Sequence, residues 1–269
     1  MTQIRAGQRG SATIGGMATP IDRFDLTGRV ALVTGGSRGL GRAVALGFAA
    51  AGAHVMVASR KLDACEAVVD EIEAAGGRAA ATGVAMGEPD SVAAAVDACV
   101  ERFGGLGIVV NNAATVLDRP IERVDPDTFR GAFDTNLLGP LLLVQAALPH
   151  LEASGHGSIV NVVSTAAFAP SPGRYYYPPV KAALAQVTTS LARDLGPRGI
   201  RVNAVSPGTF RTDMTTKAFD DAMLDRIAGM TALGRIGDPD ELVGPMLLLA
   251  SDAGSMITGE VLTVDGGTR

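Results

Sequence analysis

The sequence predicts a doubly wound α/β fold: a single parallel sheet of about seven strands with helices on both faces. Three observations carry that prediction. Short apolar runs alternate with longer segments of helical periodicity from about residue 24 to the end of the chain. Glycines stand where those helical segments should stop, at Gly52, Gly76-Gly77, Gly104-Gly105 and Gly199. The first apolar run passes directly into a glycine-rich turn and then a helix. A chain of 269 residues suits one such unit, spanning 24–269, with a large core.

In chain order, strands are expected at 29–34, 54–59, 78–83, 106–111, 157–164, 200–206 and 260–264. Helices are expected at 40–51, 62–75, 89–103, 126–152, 179–196 and 239–251. Right-handed crossovers then put all strand C-terminal ends on one edge. Ligands of open α/β sheets lie outside that edge, at the point where strand order reverses. Gly35, Asn111, Ser164 and Pro207 all fall there. The stretch Thr209–Met230 receives no element and reads as a mobile lid.

The turn is Thr34-Gly35-Gly36-Ser37-Arg38-Gly39-Leu40-Gly41, between the apolar run Val30–Val33 and the helix from Arg42. Strand, glycine turn, helix is the context of a dinucleotide-phosphate site. Glycines allow close backbone approach, and the helix N-terminus offers unpaired N–H groups to a pyrophosphate. The spacing is G-x-x-x-G-x-G, which differs from the commoner G-x-G-x-x-G.

A second pattern lies downstream. Ser164 is followed thirteen positions later by Tyr177, and Lys181 comes four after that. On a helix, a lysine four residues on shares the tyrosine's face. Its ammonium favours the phenolate. Lowering a tyrosine pKa from about 10 to about 7 needs roughly 4 kcal/mol. A unit charge at about 4 Å in an effective dielectric of about 20 supplies a similar amount. Tyr-x-x-x-Lys alone arises often by chance; its pairing with the glycine turn is what makes it informative.

Together these motifs resemble the short-chain dehydrogenase/reductase family over roughly residues 24–269, and further elements fall in the family's order. Asn111-Asn112-Ala113-Ala114 resembles its Asn-Asn-Ala-Gly element, and Asn136 occupies its catalytic asparagine position. Pro207-Gly208, with Thr212, resembles the nicotinamide-side loop, and Val261–Gly267 the last strand and C-terminal turn. The resemblance implies a Rossmann-like fold and reversible hydride transfer between a nicotinamide and a carbonyl or secondary alcohol. Catalytic residues would be Asn136, Ser164, Tyr177 and Lys181. Tyr177 would move the proton, Ser164 would hold the substrate oxygen, and Asn136 would hold a water leading to Lys181. The cofactor would be held by Gly35, Ser37, Arg38, Gly39, Leu40, Gly41, Arg60, Asn112, Ala113, Lys181, Pro207, Gly208 and Thr212. Relatives pair the helices matching 126–152 and 179–196, which implies a homodimer or homotetramer.

NADP(H) is expected over NAD(H). The second strand ends Ser59-Arg60-Lys61 with no acid before Asp63, where NAD binding calls for a carboxylate. Arg38 and Arg60 offer guanidinium groups suited to a 2′-phosphate. Two departures from the family stand out. Ala85 occupies the position of an adenine-contacting Asp. Prolines fill the interval Tyr177-Pro178-Pro179-Val180-Lys181, and the residue before a proline is pushed from helical geometry, which puts Tyr177 at the helix cap. Tyr175 and Tyr176 are alternative bases without the lysine spacing, and are expected to line the pocket or its rim. Apolar residues expected to line the substrate side are Leu117, Phe168, Phe210, Met214, Phe219 and Met223.

Bulk properties narrow the rest. A net charge of −5 with no basic run gives no sign of nucleic acid or an anionic membrane surface as a partner. Cys65 and Cys99 lack CxxC or metal spacing and read as buried thiols of a reducing cytoplasm; no metal is expected. Residues 1–23, rich in Gly, Ser, Thr and Ala, read as a disordered leader, with Met17 as an alternative start. Two rival functions remain. One is 3-oxoacyl-acyl-carrier-protein reductase, for which Arg198 matches a carrier-docking cation but Glu152 stands where another is expected. The other is a non-catalytic NADP-binding protein.

Overall fold

The computed structural model describes residues 20–116, 119–169 and 173–268. Seven strands are present: β1 (Val30–Thr34), β2 (His54–Ser59), β3 (Arg78–Gly83), β4 (Ile108–Asn111), β5 (Ser158–Val162), β6 (Arg201–Pro207) and β7 (Val261–Val264). They form one sheet in the order β3-β2-β1-β4-β5-β6-β7. Every pairing is parallel. The chain builds outward from β1 to β3, then returns to the middle and builds the other way from β4. The reversal falls between β1 and β4, and a crevice opens beyond their C-terminal ends.

The helices are α1 (Gly39–Ala50), α2 (Leu62–Ala74), α3 (Pro89–Phe103), α4 (Pro126–Phe133), α5 (Gly139–Ser154), α6 (Tyr177–Leu195), α7 (Asp213–Ala218), α8 (Asp221–Gly229) and α9 (Val243–Ala250). β1 is buried along its whole length, so its side chains feed two cores. Ala31 and Val33 meet Phe48 of α1, Val68 of α2 and Leu249 of α9 on one face. Val30 and Leu32 meet Val96 of α3, Leu143 of α5 and Leu195 of α6 on the other. Burial on both faces is why the strands read as continuous apolar runs without alternation.

Three expectations change. The single helix expected over 126–152 is two helices joined by a π-helical turn, Asp134–Leu138. Thr209–Met230 contains α7 and α8, with the Asp220 side chain capping α8 by accepting from Met223 N at 2.8 Å. α7 and α8 span only six and nine residues, too short for a sustained helical period in the sequence. Of the disordered leader expected at 1–23, residues 1–19 lie outside the described residues, and at its end Asp22–Phe24 form a 3-10 turn.

The stretch Pro126–Ser154 is long and apolar enough to cross a membrane by length and composition, with mean hydropathy 1.2. In the fold its apolar side is spent on the sheet, where Leu143, Ala147 and Leu151 are fully buried.

Candidate active site

β1 ends in Thr34, whose Oγ1 is the knot of the crevice. It donates to Val110 O at 3.0 Å. It accepts from Asn112 N and Ala113 N at 3.1 and 3.2 Å. The Asn112 amide reciprocates, donating to Thr34 O at 2.9 Å and Gly35 O at 3.1 Å. The two strand ends at the reversal point are thus laced together. Sequence reading assigned Asn112 to the cofactor; its amide also fixes the glycine turn, a role shared with Thr34, which was not singled out. A buried threonine closing an apolar strand was the available signal.

The turn itself leaves no room. A Cβ on Gly41 would lie 2.2 Å from Gly35 O and 2.4 Å from Asn112 Nδ2. Gly35 has φ +63°, left-handed, and a Cβ there would stand 2.8 Å from the same Nδ2. This cradle, with α1 starting at Gly39, gives the pyrophosphate of a dinucleotide a close approach to unpaired N–H groups. The residues present fit the group.

A cavity of about 1020 Å³ runs from this turn to the far wall. Gly35, Ser37, Arg38, Gly39, Leu40, Gly41, Arg60, Asn112, Ala113, Ser164, Tyr177, Lys181, Pro207, Gly208 and Thr212 all line it. So do Ala85 and Asp134, while Phe210 and Met214 give it an apolar section. Phe168, Phe219 and Met223 do not line it, and are 60, 37 and 40% exposed; Leu117 lies outside the described residues.

α6 begins at Tyr177, with Tyr176 as its N-cap. Tyr177 is therefore the first helical residue and not the cap. Pro178 and Pro179 occupy the next positions of the first turn, where a missing N–H costs no helical hydrogen bond. The helical spacing to Lys181 survives, and the ammonium lies 5.7 Å from the Tyr177 ring centroid. Lys181 is 1% exposed and donates to Val162 O at 2.7 Å, tying α6 to β5. Burial lowers its pKa from 10.5 to about 8.

Ser164 lies just beyond β5, in extended backbone, and its Oγ accepts from Ala166 N at 3.2 Å. A hydroxyl that has accepted one bond still has its own hydrogen to give. A buried polar chain sets the register of this wall. Asn111 Nδ2 donates to Asn161 Oδ1 at 2.9 Å, Asn161 Nδ2 to Thr188 Oγ1 at 2.9 Å, and Thr188 Oγ1 to Leu184 O at 2.8 Å. Asn161, a polar residue inside an apolar strand, was the unread signal for it.

Tyr176, Tyr175 and Asn136 are all placed off the cavity wall. Tyr176 is fully buried and its hydroxyl accepts from Asp125 N at 3.0 Å, so it is a structural residue and not a pocket one. Tyr175 is 39% exposed and does not line the cavity. Asn136 is fully buried off the cavity wall. Its side chain accepts from Thr115 N and donates to Thr115 O, both at 3.0 Å, and to Ala132 O at 2.8 Å. Both hydrogens of that amide are given to backbone carbonyls, and its oxygen accepts from one backbone N–H. Its carbonyl differs: Pro140, four residues on, has no N–H to offer it.

At the adenosine end, Arg42 is ion-paired with Glu71. Arg38 and Arg60, on the cavity wall, have no acidic partner among the described residues. No group of three or more His, Cys, Asp or Glu that could hold a metal ion exists among the described residues.

Fold and site define an oxidoreductase built on a dinucleotide-binding sheet, and the comparisons agree. A family model described as enoyl-(acyl carrier protein) reductase matches residues 35–269. A 3-oxoacyl-[acyl-carrier-protein] reductase from Synechocystis is 37% identical over 244 residues, covering 90% of this chain and 97% of that protein. The crystal structure of a short-chain type dehydrogenase/reductase from Mycobacterium marinum superimposes with a TM-score of 0.87 at 37% identity, covering 92% of this chain and 98% of that one. A 7α-hydroxysteroid dehydrogenase solved with NADH and 7-oxo glycochenodeoxycholic acid gives 0.90 at 33% identity, covering 92% and 97%. The chain belongs to the short-chain dehydrogenase/reductase family, enzymes acting on alcohol and ketone groups with a nicotinamide cofactor.

Proposed function

We propose that the protein is an NADP(H)-dependent carbonyl reductase or alcohol dehydrogenase for an apolar ketone or secondary alcohol. The observation that carries this reading is the convergence of Ser164, Tyr177 and Lys181 on the cavity that the glycine turn opens into. The nicotinamide supplies the hydride chemistry when bound. Tyr177 gives the carbonyl oxygen its proton in reduction and takes it back in oxidation. The Ser164 hydroxyl donates to the same oxygen and stabilises its developing charge. Lys181 favours the Tyr177 phenolate and would hold the ribose hydroxyls. A water leading from Lys181 to solvent would sit on the Asn136 carbonyl and not on its side chain.

Phe210 and Met214 on the cavity wall support an apolar substrate. The hydroxysteroid relative, solved with a bulky alicyclic ketone, points the same way. The carrier-protein reading weakens further. Arg198, the residue matching a docking cation, is ion-paired with Glu152. That pairing holds Glu152 below the usual carboxylate range. The rival non-catalytic reading leaves the Ser164, Tyr177 and Lys181 arrangement without a purpose. We further place the protein in the cytoplasm, in keeping with buried free thiols at Cys65 and Cys99. It would assemble as a homodimer or homotetramer through the α4–α5 and α6 helices, which expose Phe129 and Leu138.

NADPH consumption with cyclic and aromatic ketones, set beside an acetoacetyl thioester, tests the reading. Turnover of the cyclic ketones is expected. Turnover of the thioester alone would restore the carrier-protein alternative, and saturable NADPH binding with no turnover of any would favour the non-catalytic one.

Cofactor preference has its own test. The guanidinium groups of Arg38 and Arg60, with no acidic partner among the described residues, suit a 2′-phosphate, and a hydrogen bond to a charged group contributes about 1.5–3 kcal/mol. Arg38→Ala with Arg60→Ala should weaken NADPH binding by at least about tenfold per arginine and leave NADH nearly unchanged. Fluorescence titration reads both; equal loss would refute the preference.

A further inference from the structure

Two cations lie near the Tyr177 ring. Lys181 Nζ is 5.7 Å from its centroid, and the Arg174 guanidinium carbon is 5.8 Å from it. Arg174 sits three residues upstream, outside α6, directly after Gly173, which has a φ of +77°. The Tyr-x-x-x-Lys pattern carries no hint of it. We propose that Arg174 is a second positioning cation for Tyr177, biasing the hydroxyl toward its phenolate together with Lys181.

A cation near an aromatic face is attracted weakly by the neutral phenol, through the ring quadrupole, and much more strongly by the full charge of the phenolate. The difference favours ionisation. The two cations do this over different ranges. Burial lowers the Lys181 pKa to about 8, so its charge fades in mild alkali. A guanidinium stays protonated throughout. Arg174 is half-buried and thus only partly screened by water.

The other elements packed on α6 do not duplicate it. The turn Thr165–Phe168 and strand β5 carry no charge. The π-helical turn contributes Asp134, which lines the same cavity and opposes ionisation. α4 contributes Asp127 and Arg130, paired with each other at 2.8 Å on its exposed side. Arg198 and Arg201 stand beyond the opposite end of α6.

This inference rests on Tyr177 as the proton-transferring group, yet its test needs no turnover. The chain has three tyrosines and no tryptophan, so tyrosinate absorbance can be titrated directly. Subtracting the Tyr177→Phe curve from wild type isolates Tyr177. Arg174→Gln should raise its midpoint by about 0.5–2 pH units, the range a unit charge at roughly 6 Å gives between surface and bulk-water dielectrics. Arg174→Glu should raise it further, and Arg174→Lys should restore it. Superposable Gln, Glu and wild-type curves would overturn the proposal, as would a Lys variant shifted as far as the Gln one. A shifted midpoint in a protein inert to every ketone would instead sink the catalytic reading of Tyr177 and leave this one standing.

Discussion

Tyr177→Phe should reduce turnover by about 10²–10⁴-fold, the usual contribution of a positioned acid–base group, while NADPH binding stays within a factor of about two. The substitution removes one oxygen from a ring that has Arg174 and Lys181 near it and leaves the ring in place. α6 keeps its first turn, because the backbone and the two prolines decide that geometry. Lys181 keeps its bond to Val162 O. The neighbouring tyrosine supplies the contrast. Tyr176→Phe strips the acceptor from Asp125 N, a loss of about 0.5–1.5 kcal/mol at this part-buried site. It should lower the melting temperature and spare kcat. Steady-state kinetics, cofactor fluorescence and thermal melts of both variants separate the roles. Unimpaired turnover in Tyr177→Phe would end the assignment.

The contrast also shows where sequence reading succeeded. Strands buried on both faces announce themselves as apolar runs, and their ends fell within two residues of expectation, from Val30 to Val264. Motif residues on those strand ends were placed on one cavity for the same reason, since a parallel sheet leaves its C-terminal edge nowhere else to point. Three kinds of information stayed hidden. Short helices such as α7 and α8 are held by local caps and span too few residues for a period to repeat. Side chains that bond to backbone, as Asn136 does to Thr115, have partners distant in sequence. Among the three tyrosines only the fold decides which is core, and it buries Tyr176 against the Phe129 ring.

Lys181→Met should trade activity for stability, and the pH dependence of that trade identifies the cause. Lys181 is fully buried and its pKa is lowered from 10.5 to about 8. In the unfolded chain the lysine keeps its ordinary value. Between about pH 8 and pH 10.5 the unfolded state therefore holds more protons than the folded one, and stability rises with pH through that window. Below pH 8 both states are protonated, and the folded protein bears the full cost of a buried ammonium. That cost is roughly 3 kcal/mol, relieved once the pH passes 10.5. Met fills a similar volume without the charge, although it leaves Val162 O short of a donor, a loss of about 1–3 kcal/mol. The two effects oppose each other at neutral pH, so a single melting temperature is a poor test. The difference between wild-type and Lys181→Met stability is the sharper one, because other titrating groups largely cancel. Denaturant midpoints should show wild type gaining on the variant from pH 7 to pH 10, with turnover lost in the variant throughout. A constant difference would mean that the ammonium costs the fold nothing, and that polar contacts within the cavity already compensate the charge that Tyr177 depends on.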